Sequence, residues 1–212
     1  MAGEEKTRRC VVLGGGPIEE EEIALIRPED TIWAADAGLR AARRFGLHPA
    51  LCLGDWDSCE RPQRAEELIC LPSEKDDTDT HYAARLLVQR GFREALLLGG
   101  IGGRLDHTLA NLCSLLFLVR SGVSCWLVGQ GAAVTVLQNG TMRLPRRENT
   151  YFSIFAADGS AQGISLAGTK YPLQEAELTA GFPLGVSNEI LADWADVTVR
   201  EGALYLMYSK KK

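Results

Sequence analysis

The 212-residue sequence predicts an α/β fold in two parts: an N-terminal parallel-sheet α/β domain over residues 1–130 and a C-terminal antiparallel β-sandwich over 131–212. Three observations carry this. Short apolar runs alternate with helix-period segments through the first half, the pattern of a parallel sheet covered by helices on both faces. After about Gly131 helix-period segments give way to a succession of short β-like stretches. Several apolar runs of the first half end in Gly or Asp, as strands do where a loop must turn sharply.

In chain order, residues 10–13, 31–35, 51–53, 68–71, 95–98 and 125–128 read as buried strands, being short, apolar and bounded by turn formers. Residues 80–90 place Ala83, Ala84, Leu87 and Val88 on one helical face and stop at Gly91, a favourable residue just past a helix end. Residues 108–120 gather Leu109, Leu112, Leu115, Leu116 and Val119 and end before Gly122. In the second half, strands are expected over 133–137, 141–144, 150–156, 163–166, 185–190, 197–200 and 203–208. Gln138-Asn139-Gly140-Thr141 reads as a hairpin turn, since Asn-Gly suits the type I′ geometry, and Glu201-Gly202 as a second turn.

Hydrophobic residues make up 46% and charged residues 24% of the chain, which suits a packed globular core and argues against wholesale disorder. The formal charge of -5 argues against nucleic acid as a partner, because phosphate-backbone binders carry basic patches. It leaves nucleotides open, since Mg²⁺ bridges carboxylates to phosphates. The run Cys10-Val11-Val12-Leu13 is too short for a signal-peptide core, and no stretch approaches the roughly 20 apolar residues that span a bilayer. The six cysteines form no Cys-x-x-Cys pair, and Cys10, Cys52 and Cys125 lie in apolar runs; this usage suits a reducing cytoplasm.

In an open α/β sheet, ligands gather beyond the carboxyl ends of the strands. The chemistry-bearing residues fall there. The first strand ends in Gly14-Gly15-Gly16-Pro17 and the second in Ala35-Asp36-Ala37-Gly38. The third ends in Gly54-Asp55-Trp56-Asp57-Ser58, and the loop after the fourth carries Lys75-Asp76-Asp77-Thr78-Asp79. The fifth is followed by Gly99-Gly100-Ile101-Gly102-Gly103-Arg104-Leu105-Asp106-His107. Asp55 and Asp57, one residue apart at a strand end, can both reach a cation, and Mg²⁺ takes one or two carboxylates with phosphate and water. Alone, an Asp-x-Asp pair reads more readily as a solvated turn. Convergence of Asp36 and Asp79 on the same rim favours Mg²⁺. Asp76, Asp77 and Asp79 surround a helix start, where one carboxylate would suffice as a cap. Arg104 can hold phosphate oxygens in a bidentate fork, and the glycines before it allow close backbone approach. The Gly14–Gly16 run is neither a Walker A loop nor a Rossmann fingerprint.

These motifs, with Gly103-Arg104-Leu105-Asp106-His107-Thr108-Leu109-Ala110-Asn111, Lys170-Tyr171-Pro172-Leu173 and Gly185-Val186-Ser187-Asn188-Glu189, occur in the order and spacing of the thiamine pyrophosphokinase family, in its bacterial-type form. The resemblance covers about residues 10–208. It implies an N-terminal catalytic, nucleotide-binding domain and a C-terminal thiamine-binding sandwich. It further implies ATP and thiamine as substrates, thiamine diphosphate and AMP as products, Mg²⁺ as cofactor, and a homodimer with thiamine at the subunit interface. By motif position Asp55, Asp57 and Asp79 bind metal and act in catalysis with Arg104. Asp36, Lys75, Asp76, Thr78, Arg104, Asp106, His107 and Asn111 line the nucleotide, and Ser187 and Asn188 line thiamine. Some members stack thiamine on an aromatic near this last motif; here the first aromatic after it is Trp194.

Two other functions fit part of the pattern. Asp-nucleophile phosphatases also place Asp-x-Asp after a strand, but typically the first rather than the third. A non-catalytic thiamine or nucleotide sensor could keep the fold, though it need not keep every carboxylate.

Overall fold

The computed structural model describes residues 8–56, 59–62, 65–74 and 76–211. The chain divides into two compact units, Met1–Gln130 and Gly131–Lys212.

In the first unit β1 (Arg9–Leu13), β2 (Thr31–Ala35), β3 (Leu51–Gly54), β4 (Glu67–Cys70), β5 (Glu94–Leu98) and β6 (Ser124–Gly129) pair in parallel. Their order is β6-β5-β1-β2-β3-β4. Val11, Val12 and Leu13, Leu51, Cys52 and Leu53, and Leu96, Leu97 and Leu98 are buried in unbroken succession. Such strands are covered on both faces, which is why they read as apolar runs rather than alternating ones. Helices α1 (Glu20–Ile23), α2 (Gly38–Arg44), α3 (Asp79–Gln89) and α4 (Leu105–Arg120) connect them. The first two were not anticipated: α1 spans four residues and α2 seven, too short to show a helical period. The strand order reverses between β1 and β5. There Gly14 N donates to Leu98 O at 2.8 Å and Gly16 N to Gly99 O at 3.0 Å, joining the two loops that leave the sheet.

Helix α4 turns a different face inward from the one expected. Asn111, Ser114, Leu115 and Leu118 are buried, while Leu109 is 56% exposed. Two polar residues occupy the buried stripe because each has partners. Asn111 Nδ2 donates to Gly100 O at 2.9 Å, and Ser114 Oγ donates to Ala110 O at 3.0 Å and meets His81 Nδ1 at 3.0 Å.

The second unit contains β7 (Ala132–Pro145), β8 (Thr150–Ala156), β9 (Ser160–Ala167), β10 (Leu173–Thr179) and β11 (Trp194–Lys210), all antiparallel. The first half of β11 lies between β7 and β9, and its second half lies between β7 and β8. A long strand that changes neighbours in this way serves both layers of a sandwich. Phe152, Ile154, Ile164, Leu166, Val197 and Leu206 fill the space between.

Two expected turns are bends in continuous strands. Asn139 (φ 43) lies inside β7 and Gly202 (φ 101) inside β11, beside the register shift between Val199 and Ala203. Gly202 N donates to Asn139 Oδ1 at 2.9 Å, locking the two irregularities together. A positive φ serves a bulge as well as a hairpin, so Asn-Gly and Glu-Gly could not separate the two locally. Residues 185–190, expected as a strand, form only isolated bridges, Phe152 with Asn188 and Thr169 with Ile190. Strand β10 was missed. Of its residues Leu178 is the one in the core, so no alternation marks it.

Candidate active site

The carboxyl ends of β2 and β3 are built against each other. Asp36 follows β2 in the left-handed region (φ 44), a conformation Asp tolerates better than most residues. Its N–H donates to Leu53 O on β3 at 2.7 Å. A Cβ on Gly54 would stand 3.0 Å from Asp36 Cα, so only glycine lets the strand ends approach this closely. Asp55 follows, and then Trp56 also takes a positive φ (63), an outlier for a bulky side chain. The Trp56 ring packs against the core cluster that contains Val11, Ala34 and Leu98. Its buried Nε1 has no hydrogen-bond partner among the described residues. An orphaned buried donor costs about 1–3 kcal/mol, so this turn is held by packing at a local cost. Strain of this kind gathers where a side chain must be aimed.

Helix α3 brings the third carboxylate. Thr78, not an aspartate, is its N-cap: Thr78 Oγ1 accepts from His81 N at 3.1 Å. Asp79 becomes the first helical residue, where the helix dipole favours an anion. Asp36, Asp55 and Asp79 are half-buried, and each offers a carboxylate oxygen within 4.8 Å of the other two. Oxygens around Mg²⁺ at about 2.0–2.1 Å are separated by about 2.9–4.2 Å, so a small contraction would bring the trio to coordination. Three clustered carboxylates repel one another, and a cation relieves that repulsion. The donor set therefore fits a hard divalent cation. Cys59 is also drawn in, its thiol donating to Asp36 O at 3.2 Å; burial, then Asp36, pushes that thiol up from its ordinary range.

The other expected residues fall into three groups. Asp57 and Lys75 lie outside the described residues. Asp76 is exposed, and its neighbour Asp77 pairs with Arg85 at 2.8 Å. At the start of α4, Arg104 forms a bidentate pair with Asp106, Nε to Oδ1 at 3.1 Å and Nη2 to Oδ2 at 2.5 Å. This hydrogen bonding raises the Arg104 pKa and lowers that of Asp106. His107 is exposed, with its N–H on Asp106 Oδ1 at 2.9 Å. Asn111 is buried and holds the glycine loop through Gly100 O.

In the second unit, Ser187 is exposed in the left-handed region (φ 58), its N–H donating to Ser153 Oγ at 3.1 Å. Asn188 is 4% exposed. Its Oδ1 accepts from Tyr171 N at 2.9 Å and Glu189 N at 2.8 Å, and its Nδ2 donates to Tyr171 O at 2.8 Å. Glu189 is gripped by Lys170 at 3.0 Å and Lys211 at 2.5 Å. Trp194 is 52% exposed. Sequence reasoning did not single out Arg40, whose helix was itself unanticipated.

Residues 24–127 match the family model described as Thiamin pyrophosphokinase, catalytic domain. Residues 141–204 match Thiamin pyrophosphokinase, vitamin B1 binding domain. The thiamine pyrophosphokinase of Bacillus subtilis is 26% identical over 207 residues, covering 94% of this chain and 97% of the relative. A crystal structure of thiamine pyrophosphokinase from Bacillus subtilis superimposes with a TM-score of 0.88 at 22% identity, covering 96% of this chain and 99% of the other. That from Geobacillus thermodenitrificans does so with a TM-score of 0.84 at 26% identity, covering 96% and 98%.

Proposed function

The chain belongs to the thiamine pyrophosphokinase family and transfers pyrophosphate from ATP to the hydroxyl of thiamine, giving thiamine diphosphate and AMP; we propose that it does so at the rim where Asp36, Asp55 and Asp79 meet. The observation that carries the reading is the mutual approach of those three carboxylates at adjacent strand ends and a helix start.

We assign Mg²⁺ to Asp36, Asp55 and Asp79, with Asp57 beside them in sequence. The cation supplies neutralisation of phosphate oxygens and of charge on the departing AMP. The remaining work falls to the chain's own residues and is mainly positioning. Arg104 holds phosphate oxygens, and Asp106 keeps its planar guanidinium aligned in the meantime. Asn111 fixes the glycine loop beneath the nucleotide. Lys75, Asp76, Thr78 and His107 complete the nucleotide side, Thr78 by setting the start of α3. A rim carboxylate accepts the proton of the thiamine hydroxyl as its oxygen attacks the β-phosphorus. Ser187 faces thiamine, and Asn188 holds the segment that presents it.

We further read the enzyme as a cytoplasmic homodimer. Tyr171, Phe182, Leu184, Val186, Leu191 and Trp194 of the second unit are all more than 40% exposed, an apolar content that a subunit interface would cover. All six cysteines are free, as a reducing compartment keeps them.

Incubation with ATP, Mg²⁺ and thiamine, followed by chromatography, tests the reaction. Equimolar AMP and thiamine diphosphate support it. Orthophosphate release, or no product from folded protein, contradicts it.

A further inference from the structure

A cavity of about 320 Å³ opens between the Gly15–Ile18 loop after β1 and helix α2, and its lining begins at Ala37, the residue after Asp36. Gly15 and Gly16 form one side, and Ala37, Arg40 and Arg44, at the N-cap and along α2, form the other. The volume lies at the small end of the range for small-molecule sites, roughly 300–1,000 Å³. The loop is fixed in place: Gly16 N donates to Gly99 O at 3.0 Å, and a Cβ on Gly16 would overlap that same carbonyl. Glycine at 16 thus lets the two loops pack, and Gly15 and Gly16 present bare backbone to the cavity.

The two arginines lie four residues apart on one helical face but are placed differently. Arg44 is engaged as the outer wall, Nη1 donating to Ile18 O at 3.3 Å and Nη2 meeting Glu19 Oε2 at 3.1 Å. Helix α2 begins beside Asp36, so at 1.5 Å per residue Arg40 stands about one turn from the carboxylate cluster and Arg44 about two. A guanidinium and a glycine loop, with a carboxylate cluster on adjacent strand ends that would hold a cation, form a complementary surface for several linked phosphates.

We infer that Arg40 binds the triphosphate of the nucleotide in this cavity, next to the cation held by Asp36, Asp55 and Asp79. The inference rests on the proposed placement of Mg-ATP at this rim. It assigns Arg40 a role in substrate binding distinct from that of Arg104 across the sheet reversal.

Two measurements test it. Calorimetric binding of Mg²⁺-tripolyphosphate needs neither thiamine nor turnover. We expect Arg40→Ala to weaken that binding about 10–100-fold, the scale of lost charge-assisted hydrogen bonds, and Arg40→Lys to recover part of it. In steady state, Arg40→Ala should raise KM for ATP by a similar factor and leave KM for thiamine unchanged. Arg27→Ala, which removes the same charge near Glu94 at the amino end of β5, should change neither. Arg40 is exposed, so its variants should melt as wild type does, and Arg40→Gln gives a second neutral replacement. Wild-type protein that does not bind tripolyphosphate, or Arg40→Ala and Arg40→Gln that match wild type in both measurements, overturns the inference. Wild type that binds tripolyphosphate through Arg40 yet makes no thiamine diphosphate upholds Arg40 and overturns the pyrophosphate-transfer reaction instead.

Discussion

The rim of the first unit and the 185–190 segment of the second both carry polar residues of one family signature, yet they use them in opposite ways. At the rim, Asp36, Asp55 and Asp79 are held against one another by a backbone with positive φ at Asp36 and Trp56. Like charges are brought together at a cost in stability. In the second unit Asn188 makes three hydrogen bonds to the backbone of Tyr171 and Glu189 and is almost fully buried. Its polarity stabilises the local fold, and the surface around it is left to exposed neighbours such as Ser187 and Trp194. A signature residue can thus stand in a cluster of like charges or brace the backbone behind a surface, and burial with full hydrogen bonding separates the two.

That contrast breaks if both kinds of residue respond alike to substitution. The largest effect is expected for Asp55→Asn, which should lower turnover more than about a hundredfold, equivalent to about 2.7 kcal/mol. Its melting temperature without metal should stay level or rise, because repulsion with Asp36 and Asp79 is relieved. Asn188→Ala should do the reverse. Denaturant unfolding should show a loss of about 2–4 kcal/mol, since the Tyr171 and Glu189 backbone groups lose their partner.

Asp30 sharpens the comparison from the opposite end of the sheet, as a carboxylate matched to cations. Arg9 grips it through Nε at 2.9 Å and Nη2 at 2.6 Å, and Arg27 N donates to it at 2.7 Å. Burial alone would raise its pKa, but the Arg9 hydrogen bonds and the Arg27 N–H outweigh that and hold it below the ordinary carboxylate value. Its contribution is therefore complete above the unfolded value of about 4 and is lost as pH falls through the lower folded value. Asp30→Asn should cost about 1–3 kcal/mol at neutral pH and flatten the acid limb of the stability profile, as read by denaturant titration at several pH values. Smallest in stability is Ser187→Ala, expected within about 0.5 kcal/mol of wild type, as for exposed sites. Its signature should be a several-fold rise in KM for thiamine alone.

What could be read from the residues follows the same division. Buried parallel strands announce themselves because β1, β3 and β5 are apolar on both faces. A lone Asp-x-Asp after a strand reads as a solvated turn; the aspartates stand out because several strand-end loops carry them to one rim. Less legible were features whose meaning depends on a distant partner. Asn139 and Gly202 are 63 positions apart, beyond any local window, so their paired irregularities read as two turns. The family resemblance places Thr78 on the nucleotide side without saying how; its hydroxyl caps α3, which leaves Asp79 as the first helical residue, in the cluster. The inward face of α4 was hidden because its polar members, Asn111 and Ser114, are buried through contacts with Gly100 and His81. Helix α2 escaped for its brevity, and Arg40 with it.

The cation site proposed at Asp36, Asp55 and Asp79 for the phosphates of ATP is open to direct measurement. Electron paramagnetic resonance of Mn²⁺, titrated into the protein with ADP present, tests it most directly. Wild type should bind the ion, and Asp36→Asn, Asp55→Asn and Asp79→Asn should each weaken it at least about tenfold, or about 1.4 kcal/mol, with unchanged circular dichroism. Folded variants that bind Mn²⁺ as wild type does would contradict it.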